Sequence, residues 1–373
     1  MDADKIRFNL SLAGFNELPN WLNFNQEIGI LETKIPRTGS LNFKIKVFDE
    51  NGGEIEQFFK VNLSRDIAQD AHKVINKNQI NGDDHNNKIY AKNLSNDVVS
   101  AQSGDDEIFY VEDSKWQNND EINFTAWNIY SGDEFDASNK IKSFDCFDGG
   151  AGYDILHLTQ NDDALFLDDQ NLSDFGEIAK FSDIEEIQAG EGDDIVDMTS
   201  FNFIYGDIKI FGDAGNDILW SSSGDDKIFG GSGDDNIQSA LGNDEIFGEE
   251  GDDILKAYYG NDLLVGGLGS DKLYGGAGAD IFLYENKADS TFNKPDLIAD
   301  FEINLDKISF KNFEYNAIYK YLDVNFSQQP EGLKPVFYKI DNNLNTVIFD
   351  NNSDFSLTLL GQHELTNDNF LYG

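Results

Sequence analysis

The sequence predicts an all-β fold, in which a parallel solenoid of short strands follows a small antiparallel β-sandwich-like domain and precedes a β-rich C-terminal cap. Three observations predict it. Eight nine-residue units follow one another without a gap from residue 212 to 283. Apolar and polar residues alternate in parts of residues 1–64. Residues 284–373 again contain short apolar runs, as expected of a segment that covers the last coil of a solenoid.

Three positions of the nine-residue unit carry the same type of residue in all eight units. Position four is glycine, at Gly215, Gly224, Gly233, Gly242, Gly251, Gly260, Gly269 and Gly278. Position six is aspartate, at Asp217, Asp226, Asp235, Asp244, Asp253, Asp262, Asp271 and Asp280. Position eight is large and apolar, at Leu219, Ile228, Ile237, Ile246, Leu255, Leu264, Leu273 and Phe282. The first six residues therefore predict a turn, and the last three a short strand that buries position eight.

Position one predicts that one coil of the solenoid takes two units. Glycine at every second unit (Gly212, Gly230, Gly248, Gly266) alternates with Ser221, Ser239, Ala257 and Gly275. The loops would then lie on two opposite edges. Four coils at a spacing of about 4.8 Å make a rod roughly 19 Å long.

Stacked coils place the aspartates of equivalent loops roughly 5 Å apart, where two bare carboxylates repel by about 3 kcal/mol at an effective dielectric near 20. A cation would remove this repulsion. Hard oxygen ligands without histidine or cysteine favour calcium over zinc or copper, and a loose cage of carboxylates and carbonyls favours calcium over magnesium. The alternative is a metal-free acidic solenoid with solvated aspartates.

These units resemble the calcium β-rolls of the RTX (repeats-in-toxin) family, whose nonapeptide is G-G-x-G-x-D-x-U-x. The resemblance implies a parallel, calcium-bound β-roll with about six ions, each between successive loops of one edge. The implied aspartate pairs are Asp217 with Asp235, Asp235 with Asp253, Asp253 with Asp271, Asp226 with Asp244, Asp244 with Asp262, and Asp262 with Asp280. Loop carbonyls would complete each site, around Gly212, Gly215, Gly224, Gly230, Gly231, Gly233, Gly242, Gly248, Gly251, Gly260, Gly266, Gly267, Gly269, Gly275, Gly276 and Gly278.

The sequence departs from the family pattern at Asp213, Glu249, Tyr258 and Tyr259, where glycine or another small residue is usual. We expect the Tyr258 loop to be the weakest of the sites, because the turn tolerates strain less well than carbonyl ligation tolerates side chains.

Degenerate copies of the unit lie in residues 82–211. AQSGDDEIF (101–109), GGAGYDILH (149–157) and AGEGDDIVD (189–197) place Asp106, Asp154 and Asp194 at position six as further possible ligands. A weaker unit at 82–90 has Asn87 there. Their spacings are not multiples of nine, so we expect the intervening segments to loop out or form small strands. Calcium at these copies is an open alternative, because a lone loop lacks a stacked partner.

Residues 1–64 predict antiparallel strands around an Asn51-Gly52 turn, from apolar alternation at Leu41, Phe43, Ile45 and Val47 and at Phe59, Val61 and Leu63. LPNWLNF and FKVNL resemble the cadherin-like (dystroglycan-type or immunoglobulin-like) domains of bacterial surface proteins. A whole sandwich takes roughly 100 residues, so we expect this domain to begin upstream of the chain. Residues 65–81 are expected to be a linker, with a short helix over 65–75.

Residues 284–373 contain PDLIADFEINLDKISF and end with ELTNDNFLYG. These stretches resemble the C-terminal cap and secretion region of serralysin-like RTX proteins. The resemblance implies a partner, the type I secretion apparatus, and an extracellular or cell-surface location reached without a cleaved N-terminal signal.

The composition and the absence of certain motifs disfavour several classes of partner and of activity. With 27 basic and 70 acidic residues, the net charge of −43 disfavours nucleic acid and anionic membranes as partners. No apolar run approaches the roughly 20 residues of a membrane span, and the single cysteine, Cys146, excludes an internal disulfide. The four histidines form no HExxH motif, and no G-x-S-x-G motif occurs. We therefore expect no enzymatic activity in this chain.

These observations favour a calcium-triggered folding module from the C-terminal part of a secreted RTX adhesin with an unknown surface or host ligand. Two alternatives remain open: the C-terminal module of a secreted protease or other hydrolase, and a structural protein of a surface layer.

Overall fold

The computed structural model describes residues 7–12, 22–25, 30–33, 39–48, 54–63, 77–90, 96–109, 125–127, 134–136, 146–167, 181–199, 205–315, 317–320, 335–350 and 353–372. Regular structure within these ranges is β, apart from one 3-10 turn at Asn367–Asn369. In the part of the chain that is described, no helix has the length and hydropathy of a membrane span.

The strands are numbered in chain order. The N-terminal region contains β1 (Arg7–Leu12), β2 (Leu22–Asn25), β3 (Ile30–Thr33), β4 (Gly39–Phe48) and β5 (Glu54–Leu63). The region of degenerate repeats contains β6 (Lys77–Asn81), β7 (Lys88–Tyr90), β8 (Asn96–Ser100), β9 (Glu107–Phe109), β10 (Thr125–Trp127), β11 (Glu134–Asp136), β12 (Cys146–Asp148), β13 (Ile155–His157), β14 (Ala164–Phe166), β15 (Phe181–Ser182), β16 (Glu186–Gln188), β17 (Ile195–Asp197) and β18 (Lys209–Phe211).

The regular block contains β19 (Ile218–Trp220), β20 (Lys227–Ser232), β21 (Asn236–Gln238), β22 (Glu245–Glu250), β23 (Ile254–Lys256), β24 (Leu263–Leu268), β25 (Lys272–Tyr274) and β26 (Ile281–Tyr284). The C-terminal region contains β27 (Asp296–Ile298), β28 (Lys307–Phe310), β29 (Ala317–Lys320), β30 (Pro335–Ile340), β31 (Thr346–Phe349), β32 (Ser356–Leu359) and β33 (Phe370–Tyr372).

The N-terminal strands are antiparallel, as the apolar alternation predicts. β4 pairs with β1 and β5, with Leu41 opposite Val61 and Phe43 opposite Phe59, and β2 pairs with β3. The predicted Asn51-Gly52 turn and the helix expected over 65–75 lie outside the described residues. The expectation that the linker extends to residue 81 is wrong, because Lys77–Asn81 forms β6, which pairs in parallel with β8.

Two sheets, parallel through the repeat region, form the walls of the roll. Among the described residues, sheet one has eleven strands, in the order β7, β9, β13, β16, β18, β20, β22, β24, β26, β28 and β33. Sheet two also has eleven, in the order β14, β17, β19, β21, β23, β25, β27, β32, β31, β30 and β29. In the regular block, successive units alternate between the sheets, so Ile228 pairs with Ile246 and Ile237 with Leu255. One coil per 18 residues is thereby confirmed.

Position eight supplies the core between the two sheets. All eight of these side chains in residues 212–283 are at most 1% exposed. Each contributes burial of an aliphatic or aromatic side chain, worth about 1.5–3 kcal/mol relative to exposure. The core continues without a break through Ile108, Leu156 and Val196 of the degenerate units.

The degenerate units stack into the same roll. β9 and β13 lie in sheet one, and β17 lies next to β19 in sheet two. β6, β8, β12 and β15 form a third parallel sheet, of four strands within the described ranges, whose strands directly precede the loops of these coils. The expectation that their loops lack stacked partners is wrong. Strand pairing sets the register: β9 pairs in parallel with β13 although an insertion that contains antiparallel β10 and β11 separates them in the chain.

The C-terminal region continues the roll rather than forming a separate layer. β27 joins sheet two and β28 and β33 join sheet one, while antiparallel β30, β31 and β32 extend sheet two. Phe310 packs against Phe313, Phe355 and Phe370 at centroid distances of 5.1, 5.7 and 5.8 Å. These rings close the end of the core.

Candidate metal centres

Each edge of the roll carries a ladder of position-six aspartates. Edge A consists of the loops that lead into sheet two, and edge B of the loops that lead into sheet one. In both, the backbone N–H of one aspartate donates to Oδ1 of the equivalent aspartate in the next coil. On edge A the pairs are Asp217 to Asp235 (2.8 Å), Asp235 to Asp253 (2.8 Å) and Asp253 to Asp271 (2.9 Å). On edge B they are Asp226 to Asp244 (2.9 Å), Asp244 to Asp262 (2.8 Å) and Asp262 to Asp280 (3.0 Å).

The ladders extend beyond the regular block. On edge A, the backbone N–H of Asp163 donates to Asp194 Oδ1 at 2.6 Å, and the N–H of Asp194 donates to Asp217 Oδ1 at 2.7 Å. On edge B, Asp106 donates to Asp154 at 2.8 Å. Edge B is then interrupted at two positions. The backbone N–H of Asp154 donates to Glu185 Oε2 and not to an aspartate, and the residue whose N–H donates to Asp226 Oδ1 is Ile208.

Sequence reasoning missed three members of the ladders. Asp163, Asp296 and Asp306 occupy position six, and Asp296 and Asp306 accept from Asp271 and Asp280. None has glycine two residues before it, so the nonapeptide pattern does not include them. The remaining signal is an aspartate two residues before a buried aliphatic side chain, here Leu165, Ile298 and Ile308.

The second carboxylate oxygen, Oδ2, of several ladder aspartates lacks a partner for its negative charge. Oδ2 is buried and accepts no hydrogen bond at Asp106, Asp154, Asp235, Asp253, Asp262, Asp271 and Asp280. Each of these residues is at most 2% exposed. A buried charge without a partner is strongly unfavourable, so either a proton or a cation must accompany these oxygens.

The loop glycines leave room beside these oxygens. A side-chain carbon at Gly230 would overlap both Asp235 Oδ2 and the carbonyl of Gly248 in the next coil, and one at Gly248 would overlap Asp253 Oδ2 and the carbonyl of Gly266. Gly251, at position four, faces the carbonyl of Gly233 in the same way. The position-one and position-four glycines therefore border spaces lined by carboxylate and carbonyl oxygens.

The residues that depart from the family pattern keep its backbone conformation. Asp213, Glu249 and Tyr258 have φ of 67°, 76° and 74°, the left-handed region that position-two glycines such as Gly267 also occupy. Tyr259 pairs in parallel with Leu241 and Ala277. The left-handed conformation costs a non-glycine residue about 1–2 kcal/mol. The weaker binding expected for the Tyr258 loop stays a prediction.

Burial raises the pKa of the ladder carboxyls. It does so to about 8 at Asp226, Asp253 and Asp262, to about 7 at Asp235, and to about 6 at Asp154, Asp244, Asp271 and Asp280. Neighbouring carboxylates add to the rise at most of these positions, and hydrogen bonds from the ladder oppose it. Without a cation, the fold therefore favours the protonated carboxyl near neutral pH at Asp226, Asp253 and Asp262.

The donor set fits calcium. In the described residues no three His, Cys, Asp or Glu side chains converge into a metal site, so backbone carbonyls would have to complete the coordination. Paired carboxylates with carbonyls form an all-oxygen set, the kind of ligand that calcium prefers. The aspartates would hold the ion, and the ion would supply the positive charge that the buried oxygens lack.

The chain is similar in sequence to one protein family and to parts of several solved structures. The family model described as "Peptidase M10 serralysin C terminal" matches residues 58–371. Among solved structures, the AlgE6R2 subunit of the Azotobacter vinelandii mannuronan C5-epimerase is 26% identical, with 39% of this chain and 92% of that chain covered and a TM-score of 0.31. The extracellular lipase LipA from Serratia marcescens is 17% identical, with coverages of 83% and 42% and a TM-score of 0.18. No curated protein matches the chain.

Proposed function

The chain belongs to the family of the serralysin C-terminal domain of M10 peptidases, and from this membership we propose that it is a calcium-binding folding module of a secreted protein. The observation that carries the proposal is the pair of aspartate ladders with buried oxygens that accept no hydrogen bond. Calcium would bind between successive aspartates of each edge, at the six pairs of the regular block. The stacked pairs Asp194 with Asp217 and Asp106 with Asp154 supply further candidate sites.

Calcium would act as the switch for folding. In a cytosol poor in calcium, repulsion between ionised carboxylates keeps the chain unfolded and competent for export. Sites of the extracellular class bind at about 10⁻⁴ to 10⁻³ M. Calcium at about 100 times Kd contributes about 2.7 kcal/mol per site, so six sites contribute up to roughly 16 kcal/mol. That sum exceeds the typical stability of a whole domain, so folding and binding would form one transition.

Secretion would use the C-terminal region. We expect the type I secretion apparatus to recognise residues 284–373 while the chain is unfolded, and the same residues to cap the roll after calcium binds outside the cell. The continuation of both sheets into β27, β28 and β33 supports the second role.

The parent protein is proposed to be a surface adhesin that binds a surface or host ligand. The antiparallel strands β1, β4 and β5 before the roll favour it, because β-domains in series suit an extracellular stalk. The family's association with peptidases favours a second candidate, the C-terminal module of a secreted hydrolase. Tandem β-domains encoded upstream would support the adhesin, and a zinc-binding helix or a serine nucleophile motif would support the hydrolase.

Far-UV circular dichroism of the full chain tests the proposal. Calcium is titrated from an excess of chelator to about 10 mM, with magnesium as the control. We expect a cooperative gain of β signal with calcium and little change with magnesium. A chain that is fully folded in chelator contradicts the proposal.

A further inference from the structure

The outer side of sheet one carries a groove beside β20, β22 and β24. These strands extend past position nine into the following loop of edge A, and the groove has a volume of about 490 Å³. Position eight points into the core, so position nine points outward. The apolar residues that line the groove are Phe247 and Val265 at position nine and Leu268, which is 48% exposed.

Glycines at position two open the groove around Glu249. In the parallel pairing of β20, β22 and β24, Glu249 lies between Gly231 and Gly267, and all three residues line the groove. Neither glycine places a side chain beside that of Glu249. The glutamate side chain therefore has free space on both sides along the axis of the roll.

The groove is acidic. Among the described residues that line it, none is basic and five are acidic, namely Asp213, Glu249, Glu250, Glu285 and Asp289. Glu285 pairs with Lys311. Asp213, Glu249 and Glu250 are exposed, and within the described ranges their carboxylates form no ion pair. Partial burial raises the pKa of Glu249, and the charges of Asp213 and Glu250 raise it further, so a cation would stabilise this arrangement.

Lys227 shows how a basic side chain binds on this side of the sheet. Its ammonium lies 5.6 and 5.3 Å from the ring centroids of Phe229 and Phe247, and it pairs with Glu245 at 2.6 Å. The rings contact the cation while a carboxylate balances its charge. The groove offers the same two features, an aromatic ring and nearby carboxylates, and no basic residue from the described part of the chain lines it.

The apolar surface continues beyond the groove. Phe211, Phe229 and Phe247 are partly exposed, and their rings stack at centroid distances of 4.7 and 4.8 Å. A ligand that follows these rings into the groove must be extended and must combine apolar with basic groups. A metal ion does not, and no three His, Cys, Asp or Glu side chains of the described residues converge to bind one. A second copy of the chain would bring another net charge of −43 and be repelled.

We propose that the groove and the stacked rings bind a basic segment of another protein, in which apolar residues lie between lysines or arginines. The apolar residues of this segment pack on Phe247 and Leu268, and its basic residues pair with Glu249 and Glu250. The surface uses exposed carboxylates and not the buried ladder aspartates, so the inference goes beyond the proposed calcium binding.

The test measures binding of a fluorescently labelled peptide to the full chain in calcium, by fluorescence anisotropy. The ionic strength is about 0.15 M, where exposed charges more than about 8 Å apart are largely screened. The probe is a short peptide of alternating leucine and lysine, and two control peptides replace leucine by serine or lysine by glutamate. We expect the leucine–lysine peptide to bind most tightly. Equal affinity for the serine–lysine peptide, or no binding of the leucine–lysine peptide, overturns the inference.

A pair of double variants locates the binding. Glu249→Gln with Glu250→Gln removes two exposed carboxylates from the groove, and the matched control, Asp84→Asn with Glu302→Gln, removes two exposed carboxylates that do not line it. We expect the groove variant to bind the peptide about tenfold more weakly, from the loss of two exposed ion pairs, and the control to change affinity less than about twofold. Equal losses in both variants would mean that net charge alone attracts the peptide.

Leu268→Ser decides if the groove variant fails to fold, as judged by circular dichroism. Leu268 is half exposed at the end of β24, so its replacement leaves the core intact. We expect about fivefold weaker binding of the leucine–lysine peptide, from lost apolar contact. Unchanged affinity overturns the inference. Equilibrium dialysis with calcium adds a check, because a groove variant that binds one calcium ion fewer than the unmodified chain would identify the groove as a metal site instead.

Discussion

The regular block, residues 212–283, and the degenerate region, residues 82–211, build the same roll with different loops. Ile246 and Ile108 are equally buried, and strands of both regions pair in sheet one. The aspartate ladders differ. They are continuous on both edges of the regular block, but edge B loses its aspartates at Glu185 and Ile208 in the degenerate region. Strand pairing and core burial thus specify the coil, and loop composition separately specifies where buried negative charge accumulates.

The largest expected effect is the pH dependence of folding stability in chelator, where no calcium is bound. This dependence should originate mainly in the regular block. Burial raises the pKa of Asp226, Asp253 and Asp262 to about 8 in the fold, against a usual value of 3.8. The folded state therefore binds more protons than the unfolded state between about pH 4 and 8, so stability is lost as pH rises through this window. In chelator, we expect β signal to increase as the pH is lowered from 8 to 5.

Calcium should reverse this dependence, because the ion requires ionised carboxylates. With calcium present, the midpoint of thermal unfolding should fall on acidification over the same window. If stability changed with pH in the same direction with and without calcium, the interpretation of the ladder aspartates as calcium ligands would be contradicted.

A single ladder aspartate in the regular block should matter more than one in the degenerate region. Asp253 lies between two others on edge A, so Asp253→Asn should remove two calcium sites and about 5 kcal/mol of stability in saturating calcium. Asp106→Asn has one aspartate neighbour on edge B and should remove at most one site. Urea unfolding in calcium measures both.

The control for this comparison is Asp252→Asn, one residue away in the same loop. The Asp252 side chain is half exposed, and its Oδ1 accepts from Ser270 N and pairs with Lys294. We expect a change below about 1 kcal/mol. An effect as large as that of Asp253→Asn would mean that total loop charge, and not the buried ladder, controls stability.

Core truncation should affect the two regions alike. Ile246→Ala and Ile108→Ala each remove a fully buried position-eight side chain, and each should cost about 3 kcal/mol in calcium. Thermal or urea unfolding of the two variants provides the measurement. A much smaller cost at Ile108 would show that the degenerate coils are not part of the same cooperative unit.

The smallest expected effect concerns backbone strain within the regular block. Glu249 has a φ of 76°, so Glu249→Gly should stabilise the calcium-loaded chain by about 0.5–1 kcal/mol, after the added flexibility of the unfolded chain is included. Its neighbour Glu250 lies in β22 without positive φ, and Glu250→Gly should destabilise by a similar amount. Equal shifts of the unfolding midpoint in both variants would argue against strain at Glu249.

Local chemistry in the sequence determined most of the regular block. The nine-residue period identified the inward side chains, such as Leu219 and Ile228, and the pairing of units 18 residues apart predicted which aspartates are neighbours. The apolar alternation predicted the antiparallel pairing of β4 with β5. These features could be predicted because each depends on residues that recur at a fixed and short separation.

Only the tertiary structure decided the rest. Asp106 and Asp154 are 48 residues apart and still adjacent, because β9 and β13 pair in parallel across the insertion that separates them in the chain. Insertion length carries no information about register, so stacking of the degenerate units could not be read from their spacing. The same holds for Asp163, Asp296 and Asp306, which lack the glycine that marks the repeat. Whether the second oxygen of an aspartate finds a donor, as at Asp306, or none, as at Asp280, depends on the path of the loop that packs beside it. That path is set by the sheets the chain must rejoin.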